Sequence, residues 1–143
     1  MIVVDANLLL YAYDSAATQH AKARAWLEET FSNPAPIGLS LETVCAFLRI
    51  VTHPGIPGKR LSVEDALAIV DSWFARPNIR LLSPGENSWP LLRQTISTGQ
   101  ARGALVSDAE LAALTIGAGG VLYTADRDFA RFPGLRWINP LAK

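Results

Sequence analysis

Ile2-Val3-Val4-Asp5 is the stretch on which the fold turns. Three β-branched residues in a row read as a short strand buried on both faces, and the carboxylate marks its end. Val121-Leu122-Tyr123-Thr124-Ala125-Asp126 repeats the pattern near the other end of the chain. Between them, strands are expected around Ile37–Leu39 and at Ile79-Arg80-Leu81-Leu82, with a last one at Leu135-Arg136-Trp137-Ile138.

Helical patterns fill the intervals. One runs from about Thr18 to Phe31, before Pro34 and Pro36 break the chain. Another starts at Ser40, places Val44, Phe47, Leu48 and Val51 on one face, and stops at Pro54-Gly55. Ser62-Val63-Glu64-Asp65 is a capping signal, and its helix is expected to turn Val63, Ala66, Leu67, Val70, Trp73 and Phe74 inward. Further helices are expected at about Ser88–Thr98 and from Ser107 to Ala118, the latter closed by Gly119-Gly120. A short helical turn is expected at Asp126–Arg131. Strands alternating with helices imply an α/β fold, a three-layer α/β/α sandwich around a parallel sheet. Right-handed crossovers then bring the carboxyl ends of the strands to one rim.

The chain has 143 residues, no linker-like stretch and no internal repeat, so residues 1–143 are read as a single domain. Thirteen basic residues balance thirteen acidic ones, which excludes a polybasic nucleic-acid binder and leaves only a local patch for such a ligand. One cysteine, Cys45, rules out an internal disulfide; it is expected to be a small buried helix residue. The apolar start lacks a basic region and is interrupted by Asp5 and Asn7, so no signal peptide is read there. No run approaches the ~20 apolar residues of a spanning helix. A cytoplasmic protein without a membrane partner is expected.

Four acids stand at strand ends or helix starts: Asp5, Glu42, Asp108 and Asp126. In an open parallel sheet both kinds of position lie on the ligand-binding rim. Asp5 follows buried residues, where a carboxylate is costly unless hydrogen-bonded or bound to a cation; capping the next helix is its alternative role. Asn7 could steady it or hold a water. Glu42 falls in a first helical turn, where the helix dipole alone would explain an acid. Ser107-Asp108-Ala109-Glu110 reads as a capping box, which assigns Glu110 to the helix start and leaves Asp108 as the better ligand. Asp126 is nearer its strand than Asp128, whose role as ligand, support or cap stays open. The hydroxyls of Ser107 and Thr124 could orient water or phosphate. If these acids converge, their mutual repulsion calls for a divalent cation, and all-oxygen ligation suits Mg²⁺ or Mn²⁺. Hydrolysis of a phosphodiester is the chemistry such a site fits.

Met1-Ile2-Val3-Val4-Asp5-Ala6-Asn7, Glu42, Val106-Ser107-Asp108-Ala109 and Tyr123-Thr124-Ala125-Asp126-Arg127-Asp128-Phe129 together resemble a PIN domain, and more narrowly the VapC-type toxins of bacterial toxin–antitoxin pairs. Phe47–Pro54 and Phe129–Leu135 are also similar to that subgroup. The resemblance implies a Mg²⁺- or Mn²⁺-dependent endoribonuclease acting on structured RNA such as transfer or ribosomal RNA. It implies Asp5, Glu42, Asp108 and Asp126 as the catalytic quartet, with Asp128 as a further member. The metal would be held by Asp5, Asp108 and Asp126, joined by Glu42 or Asp128. It further implies a homodimer and a cognate VapB-type antitoxin whose carboxyl-terminal segment covers the groove.

Arg49 and Arg102 are the preferred RNA contacts, with His53, Lys59, Arg60, Arg127 and Arg131 as further basic residues near the motifs. The tryptophans are assigned to packing or subunit contact in preference to base stacking. Tyr11 and Tyr13 are assigned to packing in preference to a groove for the antitoxin. Two other functions compete with the ribonuclease: an aspartyl-phosphate phosphatase or phosphoacceptor using Asp5 as nucleophile, and a PIN-like module that binds without catalysis. Against the former, Asn7 stands where a phosphatase motif has a second acid.

Overall fold

The computed structural model describes residues 1–55 and 60–142. Five strands, β1 (Ile2–Val4), β2 (Ile37–Ser40), β3 (Ile79–Leu82), β4 (Val121–Tyr123) and β5 (Trp137–Ile138), form one sheet in the order β3-β2-β1-β4-β5. Every pairing is parallel: Ile2 stands opposite Ile37 on one side and Val121 on the other. Parallel pairing demands crossovers, which six α-helices contribute to: α1 (Ala6–Ala12), α2 (His20–Ser32), α3 (Leu41–Val51), α4 (Val63–Phe74), α5 (Ser88–Gly99) and α6 (Leu105–Gly117). A 3₁₀ turn at Arg127–Arg131 precedes β5.

Successive residues of a strand point to opposite faces, and the two cores follow from that. Val4 joins Leu8, Leu9, Leu27, Phe47 and Trp73 in a core beneath α1–α4. Val3 and Leu122 face the other way, onto Ala109, Ala112, Phe129 and Phe132 beneath α5 and α6. The sheet therefore lies between two helical layers, as the α/β/α reading requires. In the first core, Phe47 meets Trp73 edge-on at 4.8 Å between ring centroids, and the Trp73 indole N–H donates to the Tyr13 hydroxyl at 3.3 Å.

Several local expectations need correction. Val63 and Leu67 are 60% and 47% exposed. Helix α4 buries the Ala66, Val70 and Trp73 stripe; Leu67 lies about 100° round the helix from Ala66, and Val63 projects at its first turn. The last strand is only Trp137–Ile138, because the Leu135 amide turns back to the Phe132 carbonyl. Cys45 is exposed on α3, because the face that packs is the one carrying Val44 and Phe47. Lys59 lies outside the described residues.

The strand order changes direction at β1: β2 and β3 lie to one side, β4 and β5 to the other. Crossovers from adjacent strands leave in opposite directions at such a point, opening a crevice beyond the carboxyl ends. Asp5 follows β1, and Thr124, Ala125 and Asp126 follow β4, both at that crevice.

Candidate active site

Asp5 caps α1. Its Oδ1 accepts the Ala6 amide at 2.7 Å, while its own amide donates to the Tyr123 carbonyl at 3.0 Å, continuing the β1–β4 ladder by one bond. Its Oδ2 accepts the Thr124 hydroxyl at 2.7 Å. Thr124 is fully buried, and its oxygen also accepts from the Asn7 side-chain amide at 3.2 Å and the Asp126 amide at 3.0 Å. One hydroxyl thus ties the ends of β1 and β4 together and orients Asp5, and neither Asn7 nor Thr124 is among the residues that line the cleft beside Asp5. Asp126 in turn caps the 3₁₀ turn, accepting the Asp128 amide at 2.9 Å.

Asp108 arrives from α6. The expected capping box is absent: α6 starts at Leu105, and its first amides are met by the carbonyls of Arg102 and Gly103 at 3.1 Å each. The tight Arg102–Leu105 turn makes a side-chain cap at Ser107 unnecessary, so Ser107 and Glu110 both sit inside the helix. They line a cleft of about 350 Å³ together with Asp5, Ser40, Glu42, Cys45, Arg49 and Asp108. Glu42 stands in the first turn of α3, whose cap is Ser40, with its Oγ accepting the Thr43 amide at 2.9 Å.

Carboxylate oxygens of Asp108, Asp126 and Asp128 lie within 4.8 Å of one another. That grouping puts Asp128 beside Asp108 and Asp126. Asp5 stands beside the trio, close enough that the Asp126 charge helps to raise its pKa and that its own charge helps to raise that of Asp108. Burial pushes the Asp108 carboxyl up to about 6, reinforced by Asp126, Asp5 and Asp128 and opposed by Arg131. Burial likewise raises Asp5, against the Thr124 and Ala6 hydrogen bonds that favour its ionised form. Glu42 is pushed up to about 7, first by a hydrogen bond shared with Glu110, then by burial and by the charges of Glu110 and Asp108. Carboxylates held this close, with ordinary protonation disfavoured only by a few hydrogen bonds, form an oxygen donor set that suits a hard divalent cation.

Glu110 is the site residue that the sequence concealed. Its spacing from Ser107 matched a capping pattern, and only the earlier start of α6 turns it toward Glu42. Of the basic residues, Arg49 lines the cleft, while Arg102 is exposed in the turn before α6 and outside the cleft lining. The His53 ring accepts the Gly55 amide at 2.9 Å beyond the end of α3, away from that lining. Beside the acids a second, more apolar groove of about 830 Å³ opens between Leu41, Leu82, Trp89 and Leu114, with Glu42 and Glu110 at its border. Trp26 stacks on Tyr123 at 5.7 Å, and Trp89 is 63% exposed.

The family model described as PIN domain matches residues 2–135. "VapC ribonuclease Mb2897" of Mycobacterium bovis is 38% identical over 141 residues, covering 99% of this chain and 96% of that protein. "Ribonuclease VapC33" of Mycobacterium tuberculosis is 36% identical over 141 residues, covering 99% of each. Among solved structures, the Mycobacterium tuberculosis VapC20, a sarcin-ricin loop cleaving toxin, superposes with a TM-score of 0.67 at 17% identity, covering 95% of this chain and 99% of that one. VapBC2 from Rickettsia felis, bound to a DNA fragment from its promoter, gives a TM-score of 0.70 at 17% identity, covering 97% and 98%. At such identities the structural likeness establishes the fold.

Proposed function

Because this chain belongs to the PIN domain family, with VapC ribonucleases as relatives along nearly its whole length, we propose that it is the ribonuclease toxin of a toxin–antitoxin pair. Its activity is metal-dependent endonucleolytic hydrolysis of phosphodiester bonds in structured RNA, transfer or ribosomal RNA being the substrate class. The observation that carries this reading is the meeting of Asp108, Asp126 and Asp128 beside Asp5, with Asp5 and Asp108 lining an open cleft.

Mg²⁺ or Mn²⁺ is the cofactor, held by Asp108 and Asp126 with Asp128 and Asp5 completing the donor set. Such an ion supplies a Lewis acid that offsets phosphate charge and acidifies water. The chain's own groups do the rest. Thr124 and Asn7 fix Asp5. Arg49, the basic residue among the described cleft-lining residues, offers a guanidinium to the RNA backbone. Glu42, its carboxyl raised to about 7 chiefly by the hydrogen bond from Glu110, stands with Glu110 at the border of both cavities, and Ser107 presents a hydroxyl to the cleft. Arg102 contributes outside the cleft, to RNA approaching α6.

The partners in this reading are RNA, a second copy of the chain and a cognate VapB-type antitoxin; the setting is the cytoplasm. No helix among the described residues is long and apolar enough to cross a membrane. The phosphoacceptor alternative is disfavoured because Asn7, tied to Thr124, stands where such a motif has its second acid.

The test is Mn²⁺ binding to the purified protein, followed by paramagnetic relaxation, together with cleavage of total RNA with and without a chelator. Saturable binding that disappears in Asp108→Asn and weakens in Asp5→Asn, with cleavage lost alongside it, is expected. A folded protein that binds no Mn²⁺, or that cleaves RNA equally well in chelator, would refute the proposal.

A further inference from the structure

The carboxylate trio comes from two separate pieces of chain: Asp108 from α6, and Asp126 and Asp128 from the segment after β4. Like charges at this distance repel, so something must hold the two pieces together when no cation does. Arg131 closes the 3₁₀ turn that carries Asp128, and its Nη1 donates to the Gly99 carbonyl at 3.1 Å, with a longer 3.5 Å approach to the Gln100 carbonyl. Gly99 and Gln100 end α5, and the turn beyond them leads directly into α6.

The same junction is closed on its apolar side. Phe132 is buried next to Arg131, and a Cβ at Gly99 would stand 2.6 Å from its ring, so glycine is what allows α5 and the 3₁₀ segment to approach. Gln100 takes up the left-handed backbone (φ 49°) that aims its carbonyl and that of Gly99 at the segment. One guanidinium nitrogen of Arg131 is thus committed to main-chain carbonyls at the end of α5. Its charge also reaches Asp108, pulling that carboxyl down against the burial and neighbouring acids that raise it.

We propose that Arg131 is a positioning residue for the metal site: by fastening the Asp126–Arg131 segment to the end of α5, it holds Asp126 and Asp128 against Asp108. Two effects of removing it oppose each other. Losing a cation near the acids favours metal binding, while losing the fastening lets the donor set spread. Arg131 is exposed, so its charge is screened, and loss of a group that orients metal ligands costs about 10–100-fold in affinity. The fastening wins.

This inference rests on the metal-dependent reading above, and its experiment uses Mn²⁺ alone as the probe. Free Mn²⁺ is measured by electron paramagnetic resonance against the protein, its Arg131→Met and Arg131→Lys variants, and Gly99→Ala, with urea unfolding in parallel. Arg131→Met is expected to weaken Mn²⁺ binding about tenfold. Arg131→Lys, which keeps a donor to Gly99, should recover most of the loss. Gly99→Ala wedges the junction open with Arg131 intact and should weaken binding in the same direction. It also serves if Arg131→Met does not fold. Unchanged Mn²⁺ affinity in both Arg131→Met and Gly99→Ala, whatever their urea midpoints, would make the contact a plain structural clamp and overturn the proposal. Tighter binding in Arg131→Met would overturn it in favour of charge alone. Absence of binding in the unmodified protein would bring down the metal-dependent reading, and this one with it.

Discussion

Replacing Thr124 by valine removes one hydroxyl and preserves shape. That hydroxyl is fully buried, donates to Asp5 at 2.7 Å, and accepts from Asn7 at 3.2 Å and from the Asp126 amide at 3.0 Å. A hydrogen bond to a charged group contributes roughly 1.5–3 kcal/mol, and a buried donor left without an acceptor costs about 1–3 kcal/mol more. Asn7 is half-buried and can recover a partner in water, so the expected loss is about 3 kcal/mol in all. Thr124→Ser keeps the hydroxyl and loses a methyl group, about 1 kcal/mol. Urea unfolding followed by tryptophan fluorescence reads the difference: at ~2 kcal/mol/M, valine should unfold about 1 M earlier than serine. The same substitution frees Asp5 to rotate, so Mn²⁺ binding should weaken about tenfold in the valine variant and much less in the serine one. If the two variants unfold within about 0.5 kcal/mol of each other, the hydroxyl is not the link between β1 and β4 that its contacts imply.

Two further outcomes can be checked on the same protein. Asp108 and Glu42 are raised in the fold to about 6 and about 7, so the native state holds their protons more tightly than the unfolded chain does. Their contribution to stability is present in full below the unfolded carboxyl pKa and is lost as pH rises through 6 and 7. Discounted for solvent exposure, this amounts to ~1 kcal/mol, or a melting temperature about 3 °C lower at pH 8 than at pH 5.5 in chelator; Mg²⁺ should restore it at pH 8, and a melting temperature that rises with pH in chelator would contradict the shifts. Glu110→Gln keeps a hydrogen bond to Glu42 and removes a charge, so calorimetry at pH 8 should find no loss of stability, whereas a loss above ~1 kcal/mol would reinstate Glu110 as a helix cap.

The sequence by itself determined what depends on neighbours along the chain. Apolar runs of strand length, helical spacing and turn residues located the five strands, the larger helices and the parallel three-layer arrangement, because each is a local pattern repeated at a fixed period. Asp5 and Asp126 could be singled out for the same reason, Asp5 standing directly after β1 and Asp126 three residues beyond the end of β4. Tertiary structure decided what depends on partners far away in sequence. Asp5 and Thr124 are 119 residues apart, and nothing local to either says that one hydroxyl joins them. Glu110 fits a capping box on spacing alone, but the Arg102–Leu105 turn satisfies the helix amides first and leaves that side chain to Glu42. Arg131 looks like any surface cation until the end of α5 comes within reach of its guanidinium. A one-dimensional pattern carries periodicity and burial; it does not carry which carbonyl, carboxylate or hydroxyl the folded chain brings to a given side chain, and the site is made of those.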